Sequence, residues 1–444
     1  MSTISAGTTL GTALVLSGDT NGNLVVKTGA SATTAATFDS GGTVTLSSVT
    51  AFTSGTASAP AITTTGDTDT GIYFPTANET AVTTGGTVAA AFNSNGLFFR
   101  NRIINGDMRI DQRNAGASVT PTASTYTLDR WRFGCSQASK VSVQQSTTAP
   151  SGFTNSTILT VGAAANVTVA SGDEFWYQQR IEGFNVADLA FGTASALTFT
   201  VSFWVRSSVT GTYAASFQNN ATNYSYVSTF TINSANTFEY KTLTIPGPTA
   251  GTWTTDNTVG LYLAIDLGSG SSMNTTAGSW QSGYYRRTSG CVSWVTNNSA
   301  TFYITGVQLE TGSVATPFER RPYTTELQLC QRYYEKSFNI GTAPVEGANT
   351  TYTVTSGYAT NGAYSANLLF KVTKRAAPTI TLYRPTVHAT NGAWGLYKGS
   401  TNWVASTSTA AGITDSSFYV EFNSNVADNN GYAVVGSWVA AIEL

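Results

Sequence analysis

Histidine, cysteine and charge are the scarce commodities of this 444-residue chain, which has one His, three Cys and 10% charged side chains. With His388 alone, a Ser-His-Asp triad would have to use that residue, and its surroundings, RPTVHATNG, read as a turn or strand edge. Cys135, Cys291 and Cys330 are odd in number and far apart, which excludes a disulfide framework and a Cys/His zinc site. Buried thiols acting as small hydrophobes are expected instead. Net charge is −2, from 22 basic and 24 acidic residues. No stretch carries the Lys/Arg excess that contacts to a phosphate backbone require, so nucleic acid is not an expected partner. The first cation is Lys27 and no apolar h-region follows it, which argues against a secretory signal. The longest apolar run, AVVGSWVAAI, has about half the length of a membrane span, and membrane insertion is not expected.

What is present points one way. Thr, Ser, Ala, Gly and Asn dominate, with 42 Gly, 21 Tyr, 22 Phe and 9 Trp. Thr and aromatics favour strands, and six Asn-Gly pairs, beginning at Asn21, Asn95, Asn105, Asn361, Asn391 and Asn430, are hairpin or turn signals. The chain is expected to be all-β.

Residues 1–99 hold a degenerate repeat: Gly18-Asp19-Thr20 returns as Gly66-Asp67-Thr68, and Phe38-Asp39-Ser40-Gly41-Gly42 returns as Phe92-Asn93-Ser94-Asn95-Gly96. Such units are too poor in large apolar residues to bury a core alone. An intertwined homo-oligomeric β-repeat stalk is expected, with Leu24, Val25, Val26, Ile72, Tyr73 and Phe74 as strand material. Asp67-Thr68-Asp69-Thr70-Gly71 imitates the start of a calcium loop. Its twelfth position is Asn78, however, with Glu79 one residue late, and no metal or cofactor is expected.

Residues 100–322 read as a β-sandwich. Leu197, Phe199, Val201, Phe203 and Val205 fall opposite Thr198, Thr200, Ser202 and Arg206, and Val259, Leu261, Leu263, Ile265 and Leu267 repeat the every-second-residue apolar pattern; each series predicts a strand with one apolar face. In TFYITGVQLE the apolar phase slips between Ile304 and Val307, so Gly306 predicts a β-bulge. TTELQLCQRYYEKS breaks the pattern: Thr325 and Gln328 fit a capping box, and Leu327, Cys330 and Tyr334 share a helical face. A linker helix of about three turns is predicted within 323–337. Residues 338–444 return to strands and form a small C-terminal β-domain, a possible tip.

The stretch NRIINGDMRIDQRN, residues 101–114, gathers charge into a charge-poor chain. Read as a strand, it holds Asp107 and Asp111 roughly 13 Å apart at about 3.3 Å per residue. Glycosidase carboxyl pairs need about 5–9.5 Å, so catalysis there is not expected. Nine charged residues fall between Arg100 and Arg132, and eight between Glu310 and Lys336. The expectation is that these clusters meet in a structural arginine–carboxylate network, built from Arg109, Asp111, Arg113, Glu310, Glu319, Arg320 and Arg321.

No nucleophile or acid–base constellation emerges, and the chain is not expected to be an enzyme. Aromatic clusters are the better lead, because sugar rings stack on exposed Trp and Tyr. The candidates are Trp176 with Tyr177; Trp280 with Tyr284 and Tyr285; and Trp394 with Tyr397 and Trp403. Each also fits a sandwich core. The third is favoured because the Asn391-Gly392 turn adjoins Trp394.

GDTDTGIYFPTANETAVTTGGTVAAAFNSNG resembles the repeat of bacteriophage tail-fibre and related virion proteins. NRIINGDMRIDQRN, YTLDRW (126–131), VSFWVR (201–206) and VQLETGSVATPFERRPYTTELQLCQRYYEKS (307–337) resemble a second module of phage fibre and structural proteins. Together they cover about three-quarters of the chain. The resemblance implies a carbohydrate-binding-like jelly roll, a homotrimer, and a virion protein assembled in the host cytoplasm. It also implies attachment to other tail or capsid proteins through the N-terminal region. A receptor-binding fibre that recognises a host surface polysaccharide is the first reading. A structural component such as a capsid fibre, adaptor or tail decoration is the alternative, and a glycan-cleaving tailspike the third.

Overall fold

Alternation of apolar and polar residues fixes which face of each strand turns inward, and the computed structural model shows the outcome. It describes residues 24–28, 33–38, 41, 43–46, 52–92, 100–347, 353–358, 367–384, 394–398, 402–404, 408–422 and 431–444. Two units result, Met1–Thr87 and Val88–Leu444.

In the first unit, β1 (Leu24–Thr28), β2 (Thr33–Phe38) and β3 (Val44–Leu46) form an antiparallel sheet in chain order. Next, β4 (Ile62–Thr64), β5 (Asp67–Tyr73) and β6 (Thr80–Thr84) form a second meander. The calcium-like DTDTG segment is therefore strand. β7 (Thr87–Phe92) starts after Gly85 and Gly86, both at positive φ. Of the repeat, Gly18-Asp19-Thr20 and residues 93–96 lie outside the described residues.

The second unit is built on a jelly-roll sandwich. Its strands are β8 (Thr125–Leu128), β9 (Trp131–Cys135), β10 (Val141–Ser146), β11 (Ser156–Val161), β12 (Phe175–Glu182) and β13 (Phe199–Ser207). They continue with β14 (Gly211–Gln218), β15 (Tyr224–Ile232), β16 (Glu239–Ile245), β17 (Val259–Asp266), β18 (Trp280–Ser282) and β19 (Thr301–Thr311). The five-stranded sheet runs β10-β11-β19-β13-β16 and the seven-stranded sheet β18-β15-β14-β17-β12-β9-β8. Between them lie Phe199, Val201, Phe203 and Val205 of β13 and Leu261, Leu263 and Ile265 of β17, all buried. Each such side chain contributes about 1.5–3 kcal/mol relative to exposure. β19 carries the bulge: Ser202 pairs with Gln308 but Trp204 with Thr305, so Gly306 and Val307 oppose Phe203 alone.

NRIINGDMRIDQRN is not a strand. Asn105 and Met108 both take positive φ and the segment folds into turns. Its charge alternation comes from a turn that sets Asp107 against Arg109 in an ion pair. Gly106 is required there, since a Cβ would stand 2.2 Å from the Val307 carbonyl oxygen of β19.

The helix α1 spans Tyr323–Gln331 and is capped by Pro322, without a side-chain cap. The predicted capping box does not form; Glu326 instead turns inward, and its carboxylate accepts the Asn105 N–H at 2.5 Å. β20 (Tyr334–Lys336) follows directly, so the helix is shorter than expected. After it come β21 (Thr353–Tyr358), β22 (Asn367–Leu369), β23 (Thr379–Tyr383), β24 (Gly395–Lys398), β25 (Asn402–Val404), β26 (Ser408–Ala411), β27 (Ser417–Phe422) and β28 (Gly431–Ala441). β28 pairs with β20, β21, β23 and β24, over a small core around Trp394, Phe418 and Trp438. No helix among the described residues is long and apolar enough to cross a membrane.

Candidate functional site

β12 reads FWYQQRIE, and strand alternation splits it. Phe175, Tyr177 and Ile181 enter the core. Trp176, Gln178 and Arg180 fall on the opposite face of the sheet. Cross-strand pairing sets Gly134 and Asp266 beside Trp176, Arg132 and Ala264 beside Gln178, and Tyr262 beside Arg180. Gly134 is what lets the indole lie down, because a Cβ there would be 2.1 Å from the Trp176 ring. A cleft of about 400 Å³ opens over this face, lined also by Glu174, Tyr284 and Arg286 from the flanking segments. Its size is that of small-ligand sites, about 300–1,000 Å³.

One carboxylate oxygen organises the wall. Glu174 Oε2 accepts the Trp176 indole N–H at 2.6 Å and the Tyr284 hydroxyl at 2.6 Å, and Arg286 stands 3.4 Å away. Arg286 Nε in turn donates to the Tyr284 hydroxyl at 2.9 Å. Burial, more than any other cause, pushes the Tyr284 phenol up to about 12, so it stays a neutral donor. The guanidinium carbons of Arg286 and Arg132 lie 4.8 and 5.4 Å from the Trp176 ring centroid, and that of Arg180 is 5.2 Å from the Tyr262 ring. Burial and then the neighbouring Arg180 hold the Arg132 guanidinium below its usual range.

The floor carries unspent hydrogen-bonding capacity. Gln178 is 1% exposed, and neither its Oε1 nor its Nε2 has a partner. Arg286 Nη1 is also buried and unpartnered. Native interiors satisfy nearly all such groups, and beside the cleft these two side chains have hydrogen bonds still to make.

The aromatic candidates divide. Trp176 and Tyr284 come from different sequence clusters and meet in the cleft. Their chain neighbours do not join them. Tyr177 is a core residue stacked on Trp131 with centroids 5.2 Å apart, and Tyr285 packs against Ala214, Val227 and Cys291. Trp280 sits apart in an aromatic group, stacked on Tyr224 and edge-on to Trp253. Trp394, the favoured anchor, is fully buried and donates its indole N–H to the Ser437 carbonyl at 2.9 Å. It offers no ring face to a ligand. Tyr397 and Trp403 pair across β24 and β25, and their side chains lie outside the described residues, as does His388.

The two charge clusters do meet, but mainly through backbone. Glu319 accepts the Asn101 N–H at 2.9 Å. Arg321 donates to the Asn101 and Ile103 carbonyls, and Arg109 donates to the Arg321 carbonyl at 3.1 Å. Asp111 caps a turn, accepting from Asn114 and Gly116. Glu310 accepts from Thr316 and Gln308, and Arg320 covers Phe153 and Phe318. The partner of Arg113, and of Arg130, is Glu443 at the far end of the chain.

Sequence reasoning missed Arg132, Glu174, Gln178, Arg180, Tyr262 and Arg286. The signal for three of the residues here was present in the W-Q-R alternation of β12, but an adjacent Trp-Tyr pair draws attention to composition rather than to facing.

No protein-family model matches the chain, and no curated protein does. Solved structures similar to it include the enzymatically active domain of bacteriophage CBA120 tailspike protein 4, at 13% identity and TM-score 0.24, covering 48% of this chain. This chain spans 21% of that one. TmCBM61 in complex with beta-1,4-galactotriose is similar at 10% identity and TM-score 0.25, covering 48% of this chain and 99% of that one. The family 11 carbohydrate-binding module of a Clostridium thermocellum cellulase, Lic26A-Cel5E, is similar at 12% identity and TM-score 0.23, covering 44% and 96%. What the cleft here can bind follows from its own residues.

Proposed function

We propose that this chain is a non-enzymatic phage virion fibre protein that attaches the particle to a host-surface glycan held in the cleft over β9, β12 and β17. The observation that carries the reading is Gln178, a buried amide with both polar atoms free, set in one cleft with Trp176, Tyr262 and Tyr284. Amide, guanidinium and phenol groups suit sugar hydroxyls; Trp176 and Tyr262 are 5% and 8% exposed with guanidiniums over their faces, so they border the cleft with their rims. Glu174 is the one carboxylate among the lining residues and is already engaged by Trp176 and Tyr284. A glycosidase pair needs two carboxyls, so binding is the better fit than cleavage. The virion assignment draws on the sequence resemblance. A homotrimeric stalk draws on the first unit, where Phe38, Val44, Leu46, Phe52 and Ile62 stay exposed and would be covered by further copies.

The test is the full chain on an array of bacterial polysaccharides and oligosaccharides, alongside Trp176→Ala and Trp280→Ala. Saccharide binding lost with Trp176→Ala and kept with Trp280→Ala is expected. A folded wild-type chain that binds no saccharide would overturn the reading and favour a structural role.

A further inference from the structure

The cleft is built for negative charge. Three guanidiniums, Arg132, Arg180 and Arg286, line it against the single carboxylate of Glu174. That carboxylate is committed to Arg286, Trp176 and Tyr284. Arg180 spends Nη1 on the Leu444 oxygen at 2.5 Å. Arg132 is half-buried, its guanidinium lies 5.4 Å from the Trp176 ring centroid, and among the described residues it makes no ion pair. It stands directly opposite Gln178, whose amide is free, across the β9–β12 pair. Of the three, Arg286 has the Glu174 carboxylate and Arg180 the Leu444 oxygen, which leaves Arg132 as the guanidinium that a bound anion would pair. A guanidinium fork beside an amide N–H₂ matches a planar carboxylate better than it matches a hydroxyl.

We propose that the ligand is an acidic glycan, and that a sugar carboxylate binds between Arg132 and Gln178 while the sugar ring lies along the rims that Trp176 and Tyr262 show to the cleft. This rests on the glycan reading above and sharpens it to one class of sugar. Overall charge does not foretell the site, since the chain as a whole is at −2.

The experiment is calorimetric titration of the full chain with matched pairs: oligogalacturonate, oligoglucuronate and oligosialate, each beside its carboxyl-reduced twin, with a sulfated galactan oligomer as a further arm. One acidic member is expected to bind roughly tenfold or more tighter than its twin, with affinity falling as salt rises. Arg132→Gln is expected to abolish that preference at unchanged melting temperature, and Arg132→Lys to restore part of it. Equal binding of an acidic oligomer and its twin would overturn the inference while leaving the glycan reading intact. Binding of the sulfated oligomer alone would overturn the carboxylate assignment. No binding by any saccharide, here and on the array, would overturn the glycan reading itself.

Discussion

Gln178 stands opposite Arg132 where β9 pairs with β12, and both polar atoms of its buried amide lack a partner within the protein. An unsatisfied buried polar group costs about 1–3 kcal/mol. Gln178→Leu keeps the volume and removes the unsatisfied atoms. It is expected to leave stability unchanged or raise it by about 1 kcal/mol while weakening saccharide binding. Urea unfolding and titration calorimetry on the same protein check both halves; a loss of stability would show that the amide is satisfied after all.

Trp176 depends on the missing side chain of Gly134. A Cβ at that position would sit 2.1 Å from the indole, so Gly134→Ala has to lift the ring from the sheet. Overpacking of this kind costs about 1–3 kcal/mol, and saccharide affinity should fall with it. A variant with wild-type affinity would mean that the indole plays no part in the cleft.

Glu443 bridges Arg113 and Arg130 at the close of the chain. Arg130 is 1% exposed and lies over the Tyr333 ring, 3.5 Å from its centroid. Glu443→Ala leaves that guanidinium buried without its counter-ion, which is expected to cost about 3–5 kcal/mol. Because Arg130 also donates to the Arg180 carbonyl, the cleft floor should loosen too. Thermal melting with calorimetry reads both effects.

Stability should also depend on pH through Asp129. Burial, outweighing Arg113 and the bonds from Gln112, pushes its carboxyl up to about 6, from 3.8. Between those values the folded chain holds a proton that the unfolded chain has released. Asp129 therefore contributes a fall in stability as pH rises from about 4 to about 6, and no further change above. Unfolding free energies across that window should lose this component in Asp129→Asn; an identical profile in the variant would exclude Asp129 as its source.

Strand facing was legible in the sequence wherever large apolar side chains recur at every second residue, as along β13 and β17. Even the bulge at Gly306 showed as a phase slip. The NRIINGDMRIDQRN stretch was misread because turns can alternate charge as well as strands can, and the close approach that demands Gly106 is a tertiary fact. The helix start failed for a similar reason: Glu326 is drawn inward by the Asn105 N–H, and Pro322 takes the cap. The site was half legible. Trp176 and Tyr284 were named, but their convergence depends on residues 174 and 284 meeting at a shared carboxylate, 110 positions apart. Trp394 looked like a turn residue and is core, since proximity to an Asn-Gly pair says nothing about which way the indole points. Glu443 as the partner of Arg113 could not be read at all, because only the fold brings the chain end to the first turns of the sandwich.

The most direct test is a crystal structure of the full chain with the oligosaccharide that binds it best. The sugar is expected over β12, with its polar groups within hydrogen-bond distance of the Gln178 amide and the Arg132 guanidinium and its ring along the rim of Trp176. A sugar seated on Trp280 and Trp253, with the Gln178 cleft unchanged, would contradict it.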